Sequence, residues 1–447
     1  PRSVTHVFVD FTAAAAAMNL NKKSVADADL SDKRVLMRVD FNVPQDKSGA
    51  ITNNQRIVGA MPTIKLALDK GAKAIILMSH LGRPDGRKNE KMTLKPVADR
   101  LSELMERPVT FLSECVGPEV EAACADPAPG SIIVLENLRW HVEEEGKGIE
   151  HAEGCPGKKC GEACKKIKAT EEEVAAFRAS LAKLGDIYIN DAFGTAHRAH
   201  SSMVGLKGAM PCVSGLLVAK ELEAFSNVLD TDKVQRPLTA IVGGAKISDK
   251  ILVIENLIEQ SDRILVIGGM AYTFMKIAFG MQIGKSLFDK NGAELVPKLM
   301  EKAKAKGCEI VLPVDWACGQ DFCNDQEIKF VSKDEGIPDG WEGMDCGPES
   351  MKLFREKILA SKTVIWNGPA GVFEFDNFSK GTKAVLDAVA ETTKAGNKGI
   401  IGGGDSATAA AKFNMEEQVT FVSTGGGASL ELLEGKILPG IAALDDA

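Results

Sequence analysis

Short apolar runs recur along the chain and alternate with stretches of helical period. Runs rich in Val, Ile and Leu predict strands at 34–39, 74–78, 132–135, 186–189, 238–242, 264–267, 310–312, 363–366, 399–401 and 419–422. Between them, apolar positions spaced for one helix face predict helices at 94–105, 171–184 and 293–304. Continuous apolar strands alternating with helices predict an α/β fold with parallel sheets covered on both faces. In such sheets ligands bind beyond the carboxyl ends of the strands.

Two stretches break the pattern. Residues 143–168 are charged, Gly-rich and without strand signal, which predicts a surface insertion. Residues 216–228 read as one helix followed by LDTDKVQRP, a plausible connector between domains. At 447 residues the chain exceeds one ordinary core, so two domains of about 200 residues are expected.

The polar residues cluster where the fold class puts ligands, in two different styles. In the first half, Asp40 and Asn42 follow one strand, with Arg56 beyond. His80 and Arg83 follow the next in SHLGRP, Arg139 follows LENL, and Arg198 lies in DAFGTAHRAH. Each has a plainer reading: Asp and Asn favour turns, Ser79 would cap, Arg139 would pair with Glu136, and His200 would be structural. Their shared placement at one sheet edge favours an anion pocket. The second half carries glycine pairs and triplets instead: Gly243-Gly244, Gly268-Gly269, 402–404 and 425–427. Such loops hold anions through backbone N–H groups and helix dipoles. GGAKISDK places Lys246 and Lys250 four apart, which predicts one face of a helix start. WNGPAGVFE contributes Asn367 and Glu374, and GGGDSA contributes Gly403, Gly404, Asp405 and Ser406. The loops together predict a nucleotide-phosphate domain with Asp405 at its metal.

Bulk properties narrow the class. A net charge of −8 argues against a nucleic-acid partner, and no apolar run has the length of a membrane span. The ten cysteines are scattered through a chain with a large core, which predicts a reduced intracellular protein. His151, Cys155, Cys160 and Cys164 stand apart, at a spacing that fits zinc ligands, a redox loop or simply free thiols. Residues 1–17 are set outside the fold: they fit an organelle transit remnant, or an artefact upstream of a start at Met18. IGKSL fails as a Walker loop, because Phe279 stands where a glycine is required.

These motifs closely resemble the phosphoglycerate kinase family. RVDFNVP, ITNNQRI, SHLGRPDG, LENLRW, DAFGTAHRAHSS, GGAKISDKI, DCGPES, WNGPAGVFE, GGGDSAT and STGGGASLELLEGK occur in that family's order. The resemblance implies two Rossmann-like domains facing a cleft: residues 18–215 with 435–447 for phosphoglycerate, and 216–434 for nucleotide. It implies reversible phosphoryl transfer from 1,3-bisphosphoglycerate to MgADP, giving 3-phosphoglycerate and MgATP, in line and after hinge closure. The hinges are expected at 202–217 and 433–435. By motif match, Asp40, Asn42, Arg56, His80, Arg83, Arg139 and Arg198 hold the phosphoglycerate. Lys246, Lys250, Gly343, Asn367, Glu374, Gly403, Gly404, Asp405 and Ser406 hold ADP or ATP, with Mg²⁺ on Asp405. Arg56, Lys246 and Gly403 act on the transferred group.

A monomer is expected, in the cytoplasm or in an organelle such as a plastid if residues 1–17 are a transit remnant. The chain departs from the family pattern at Ile267, expected to narrow one wall of the nucleotide site, at Ser406, and at Glu342 and Met344. An NAD oxidoreductase is the main alternative, and no G-x-G-x-x-G opens a helix here. A non-catalytic binding protein would require lost site residues, and all are present.

Overall fold

A computed structural model describes residues 19–152 and 164–447. The chain divides into two compact units, 19–222 with 437–447, and 223–436. These divisions fall a few residues further along than the expected 216 and 435.

The first unit is built on β1 (Arg34–Val39), β2 (Ala74–Met78), β3 (Thr110–Phe111) and β4 (Ser131–Val134). It adds a hairpin of β5 (Lys147–Glu150) and β6 (Lys165–Lys168), then β7 (Ile187–Asp191) and β8 (Cys212–Ser214). The main sheet is parallel throughout, in the order β3-β4-β2-β1-β7-β8. Strand order reverses between β1 and β7, the position where open sheets of this kind take ligands. Val35, Met37, Val39, Ile75, Leu77, Val134 and Ile189 fill the core with Ile57 and Ile64 of the helix Gln55–Asp69 and Val97 and Leu101 of the helix Lys95–Met105.

Residues 437–447 complete this unit: the Asp445 N–H donates to Cys212 O at 2.8 Å, and Gly440 N–H to Ala196 O at 2.8 Å. The 143–168 insertion holds more structure than expected, since β5 and β6 pair antiparallel. Its Lys, Gly and Glu positions show no apolar alternation. The hairpin is instead docked: Ile149 N–H donates to Asp85 O at 2.9 Å, and a side chain on Gly148 would meet the same oxygen. His151 directly follows β5 and Cys164 directly precedes β6, while Cys155 and Cys160, like residues 1–17, lie outside the described residues.

The second unit contains β9 (Leu238–Val242), β10 (Arg263–Val266), β11 (Glu309–Val311), β12 (Asp315–Gly319), β13 (Lys329–Ser332), β14 (Glu342–Cys346), β15 (Thr363–Asn367), β16 (Lys398–Ile401) and β17 (Phe421–Val422). Its parallel sheet runs β11-β10-β9-β15-β16-β17, so the order reverses between β9 and β15. β13-β12-β14 form a separate antiparallel sheet that the apolar pattern does not predict. Its strands DWACG and EGMDC carry polar residues, yet β12 is buried throughout, held by Trp316 and Cys318 against Tyr272 and Met275. The helix Leu216–Leu229 crosses the boundary between the units, and Asp191 Oδ1 caps it in the first unit by accepting from Leu217 N–H at 2.9 Å.

Candidate active site

In the first unit, the loops after β1, β2 and β4 are stitched into one edge. Phe41 N–H donates to Ser79 Oγ at 2.8 Å, and Gly82 N–H to Asn42 Oδ1 at 2.9 Å. Arg139 Nη1 donates to Gly82 O at 3.0 Å. Asp40 and Asn42 therefore follow β1, His80 and Arg83 follow β2, Arg139 follows β4 and Arg198 follows β7. Arg56, in the first turn of the helix Gln55–Asp69, pairs with Asp40.

His80 is buried at the centre of this group. Burial pushes its basicity well below the usual imidazole range, and the positive charges of Arg38, Arg139 and Arg56 add to that. His200 is pushed down to about 3, first by burial and then by Arg139, Arg38 and Arg198. Arg38, Arg56, Arg139 and Arg198 thus all act electrostatically on one or both of these histidines. A site with this excess of fixed cationic forks suits a small, multiply charged anion. Arg139 pairs with Glu145 at 2.7 Å rather than with Glu136. Glu136 is already occupied, by Thr93 Oγ1 at 2.6 Å and Leu94 N–H at 2.8 Å.

The sequence reading missed Arg38. It is fully buried within β1, and its signal was a lone charge inside the apolar run VLMRV.

In the second unit, the reversal between β9 and β15 brings Gly243 and Asn367 together: Gly243 N–H donates to Asn367 O at 2.8 Å. Lys250 Nζ donates to Gly243 O at 2.7 Å and to the Asn367 side-chain oxygen. Burial lowers Lys250 to about 8, against the opposing influence of Asp405 and Asp249. Asn367 Nδ2 donates to Gly402 O at 3.1 Å, and Gly368 N–H to Ser406 Oγ at 2.6 Å. Gly403 caps the helix Gly404–Lys412, whose first turn carries exposed Asp405. Unpaired N–H groups at such an end face incoming anions.

The helix-face reading of Lys246 and Lys250 is corrected. The helix is Ile251–Gln260 with Lys250 at its N-cap, so Lys246 lies exposed in the preceding turn while Lys250 turns inward. The glycine pair needs several residues to turn before a helix can start. Gly343 lies on β14, where a side chain would strike Tyr272. Glu374 is exposed after β15. Ile267 does not narrow a wall: it is buried in the core with Ile241, Leu265 and Trp366.

Comparison with known proteins agrees over nearly the whole chain. The family model for phosphoglycerate kinase matches residues 25–436. The chain belongs to the phosphoglycerate kinase family. It is 57% identical over 429 residues to a probable phosphoglycerate kinase of Caenorhabditis elegans, covering 96% of this chain and 99% of that one. It is 56% identical to the phosphoglycerate kinase of Drosophila melanogaster, covering 96% and 100%. The solved phosphoglycerate kinase of Coxiella burnetii superposes with a TM-score of 0.80 at 35% identity, covering 94% and 98%. As a phosphoglycerate kinase, the enzyme transfers a phosphoryl group reversibly between 1,3-bisphosphoglycerate and ADP. Its substrates are phosphoglycerate and the adenine nucleotides. Among the described residues no helix is long and apolar enough to cross a membrane.

Proposed function

We propose that the two strand-end sites divide the reaction between them. The first unit binds the phosphoglycerate through Asp40, Asn42, Arg56, His80, Arg83, Arg139 and Arg198. The second binds the nucleotide through Lys246, Lys250, Gly343, Asn367, Glu374, Gly403, Gly404, Asp405 and Ser406. The observation that carries this reading is the contrast at the two strand-end sites: Arg38 on His80, Arg139 on the Gly82 loop and Arg56 on Asp40 in one, and Lys250, Asn367 and the Gly403 turn in the other.

An acyl phosphate is already activated, and its leaving carboxylate needs no proton. Catalysis then reduces to alignment in line and neutralisation of the moving charge. Arg56 and Lys246 supply that positive charge, and the Gly403 turn supplies backbone donors. Asp405, an exposed carboxylate with no ion pair among the described residues, fits Mg²⁺ as a hard oxygen ligand. When bound with the nucleotide, Mg²⁺ neutralises phosphate charge. Transfer requires that water be kept from the moving phosphoryl group.

Paired calorimetric titrations test the division. Arg83→Ala and Arg198→Ala should weaken 3-phosphoglycerate binding and spare MgADP; Asp405→Ala should do the reverse. A variant that weakened both ligands equally would refute the assignment.

A further inference from the structure

Arg38 is a buried cation, and each of its three guanidinium nitrogens meets an identifiable partner. Nε donates to Ser202 Oγ at 3.1 Å, Nη1 to the carbonyl of Val39, and Nη2 meets His80 Nδ1 at 3.0 Å. Ser202 in turn is held by a buried carboxylate. Its N–H donates to Glu144 Oε2 at 2.9 Å and its hydroxyl to Glu144 Oε1 at 2.6 Å. Arg38, Ser202 and Glu144 all have relative exposures of 1% or less. The chain Glu144–Ser202–Arg38–His80 therefore runs through four separate segments, and only its last member belongs to the proposed ligand set.

The direction of each hydrogen bond follows from chemistry. A carboxylate only accepts, so the single hydroxyl proton of Ser202 points to Glu144. The serine oxygen is then left to accept from Arg38. Guanidinium has no acceptor, so His80 Nδ1 must present its lone pair. The imidazole proton is thereby confined to Nε2, which has no hydrogen-bond partner among the described residues. Burial and the surrounding arginines disfavour a second proton on the ring.

We propose that Glu144, Ser202 and Arg38 form a positioning relay that holds His80 as the neutral Nε2–H tautomer, so that it meets an anionic ligand as a hydrogen-bond donor. This rests on the reading that His80 contacts the phosphoglycerate. Glu144 and Ser202 are positioning residues, acting through Arg38 on the imidazole. A buried carboxylate is retained there because without it the serine hydroxyl is free to rotate, and the acceptor that Arg38 Nε meets is no longer held in place.

The test combines spectroscopy with kinetics on the full chain. Imidazole ¹⁵N shifts of the ligand-free enzyme at pH 7.5, with His80 assigned through His80→Gln, should show a bare Nδ1 and a protonated Nε2. In Glu144→Gln and Ser202→Ala the His80 signals should move toward a tautomer mixture. The KM for 3-phosphoglycerate should rise about tenfold, as loss of one hydrogen bond would give, with the KM for ATP changed less than about twofold. The double variant Glu144→Gln/His80→Gln should be no worse than His80→Gln alone, because both act through one group.

A wild-type His80 carrying its proton on Nδ1, or on both nitrogens, overturns the relay. So does a full additive loss in the double variant, or unchanged His80 signals in both single variants. If Glu144→Gln does not fold, Ser202→Ala and the wild-type tautomer decide the matter. If His80→Gln leaves the KM for 3-phosphoglycerate unchanged, the ligand reading of His80 fails, while the tautomer measurement still judges the relay.

Discussion

Lys250 donates a hydrogen bond to the side chain of Asn367, a residue 117 positions further along the chain. Lys250 caps the helix after β9, and Asn367 ends β15. The two meet because β9 and β15 are parallel neighbours at the point where the strand order reverses. An amine buried against carbonyls can keep its charge only at some cost, and burial sets it near 8.

That position has a consequence for nucleotide binding. Phosphates placed beside Lys250 would restore its proton, so ADP binding at pH 8.5 should take up roughly half a proton or more. Uptake should vanish at pH 6.5, where the amine is already charged, and in Lys250→Met. Calorimetry in two buffers of different ionisation enthalpy measures it. Equal uptake in wild type and Lys250→Met would sink the idea.

Gly403 should resist substitution. Its φ is +92°, and a Cβ there would lie 2.6 Å from Asn367 Nδ2. Gly403→Ala should cost roughly 1–3 kcal/mol in strain and weaken ADP binding by displacing Asn367. The neighbouring Gly404 has open space around it, so Gly404→Ala should leave the melting temperature nearly unchanged. Thermal denaturation of both variants checks the contrast.

Arg56 stands half-exposed beside Asp40, ready to turn toward a ligand. If it neutralises the transferred group, Arg56→Ala should lower kcat by about 10²–10³-fold, or about 2.7–4 kcal/mol. Arg56→Lys should restore little, since a point charge lacks the planar fork. A coupled assay with 3-phosphoglycerate and MgATP gives the answer, and near-normal turnover in Arg56→Ala would remove Arg56 from the chemistry.

Asp345 is enclosed in the second unit, its oxygens accepting from Gly381 N–H at 2.7 Å and Cys346 N–H at 2.9 Å. Burial outweighs those bonds and pushes it up to about 7, from an ordinary 3.8. Between those values the folded chain binds a proton that the unfolded chain does not. This group's contribution to stability therefore falls as pH rises through that window, and levels off above it. Urea unfolding should show wild type losing stability relative to Asp345→Asn between pH 5 and 7.5. A constant difference across the range would contradict the assignment.

Strand-end placement of Asp40, His80, Arg139, Gly243 and Asn367 was legible because apolar runs mark buried parallel strands, whose carboxyl ends form one edge of the sheet. Most strands and the helices at Lys95–Met105 and Glu171–Ala182 were legible for the same reason. The antiparallel sheet of β12, β13 and β14 was not, because its burial comes from contacts with Tyr272 and Met275 rather than from its own pattern. The hairpin β5–β6 was hidden similarly, since docking on Asp85 replaces the apolar alternation it lacks.

By itself, the sequence determined the fold class, the family and the residue types available at each strand end, all of which follow from local pattern and motif order. Only the tertiary structure decided which of them act together. It turned Lys250 inward and left Lys246 in the turn, because the helix begins at Ile251. It also brought Glu144, Ser202 and Arg38 behind His80. Each hydrogen bond there joins separate segments, and no spacing along the chain encodes the direction in which a buried donor must point.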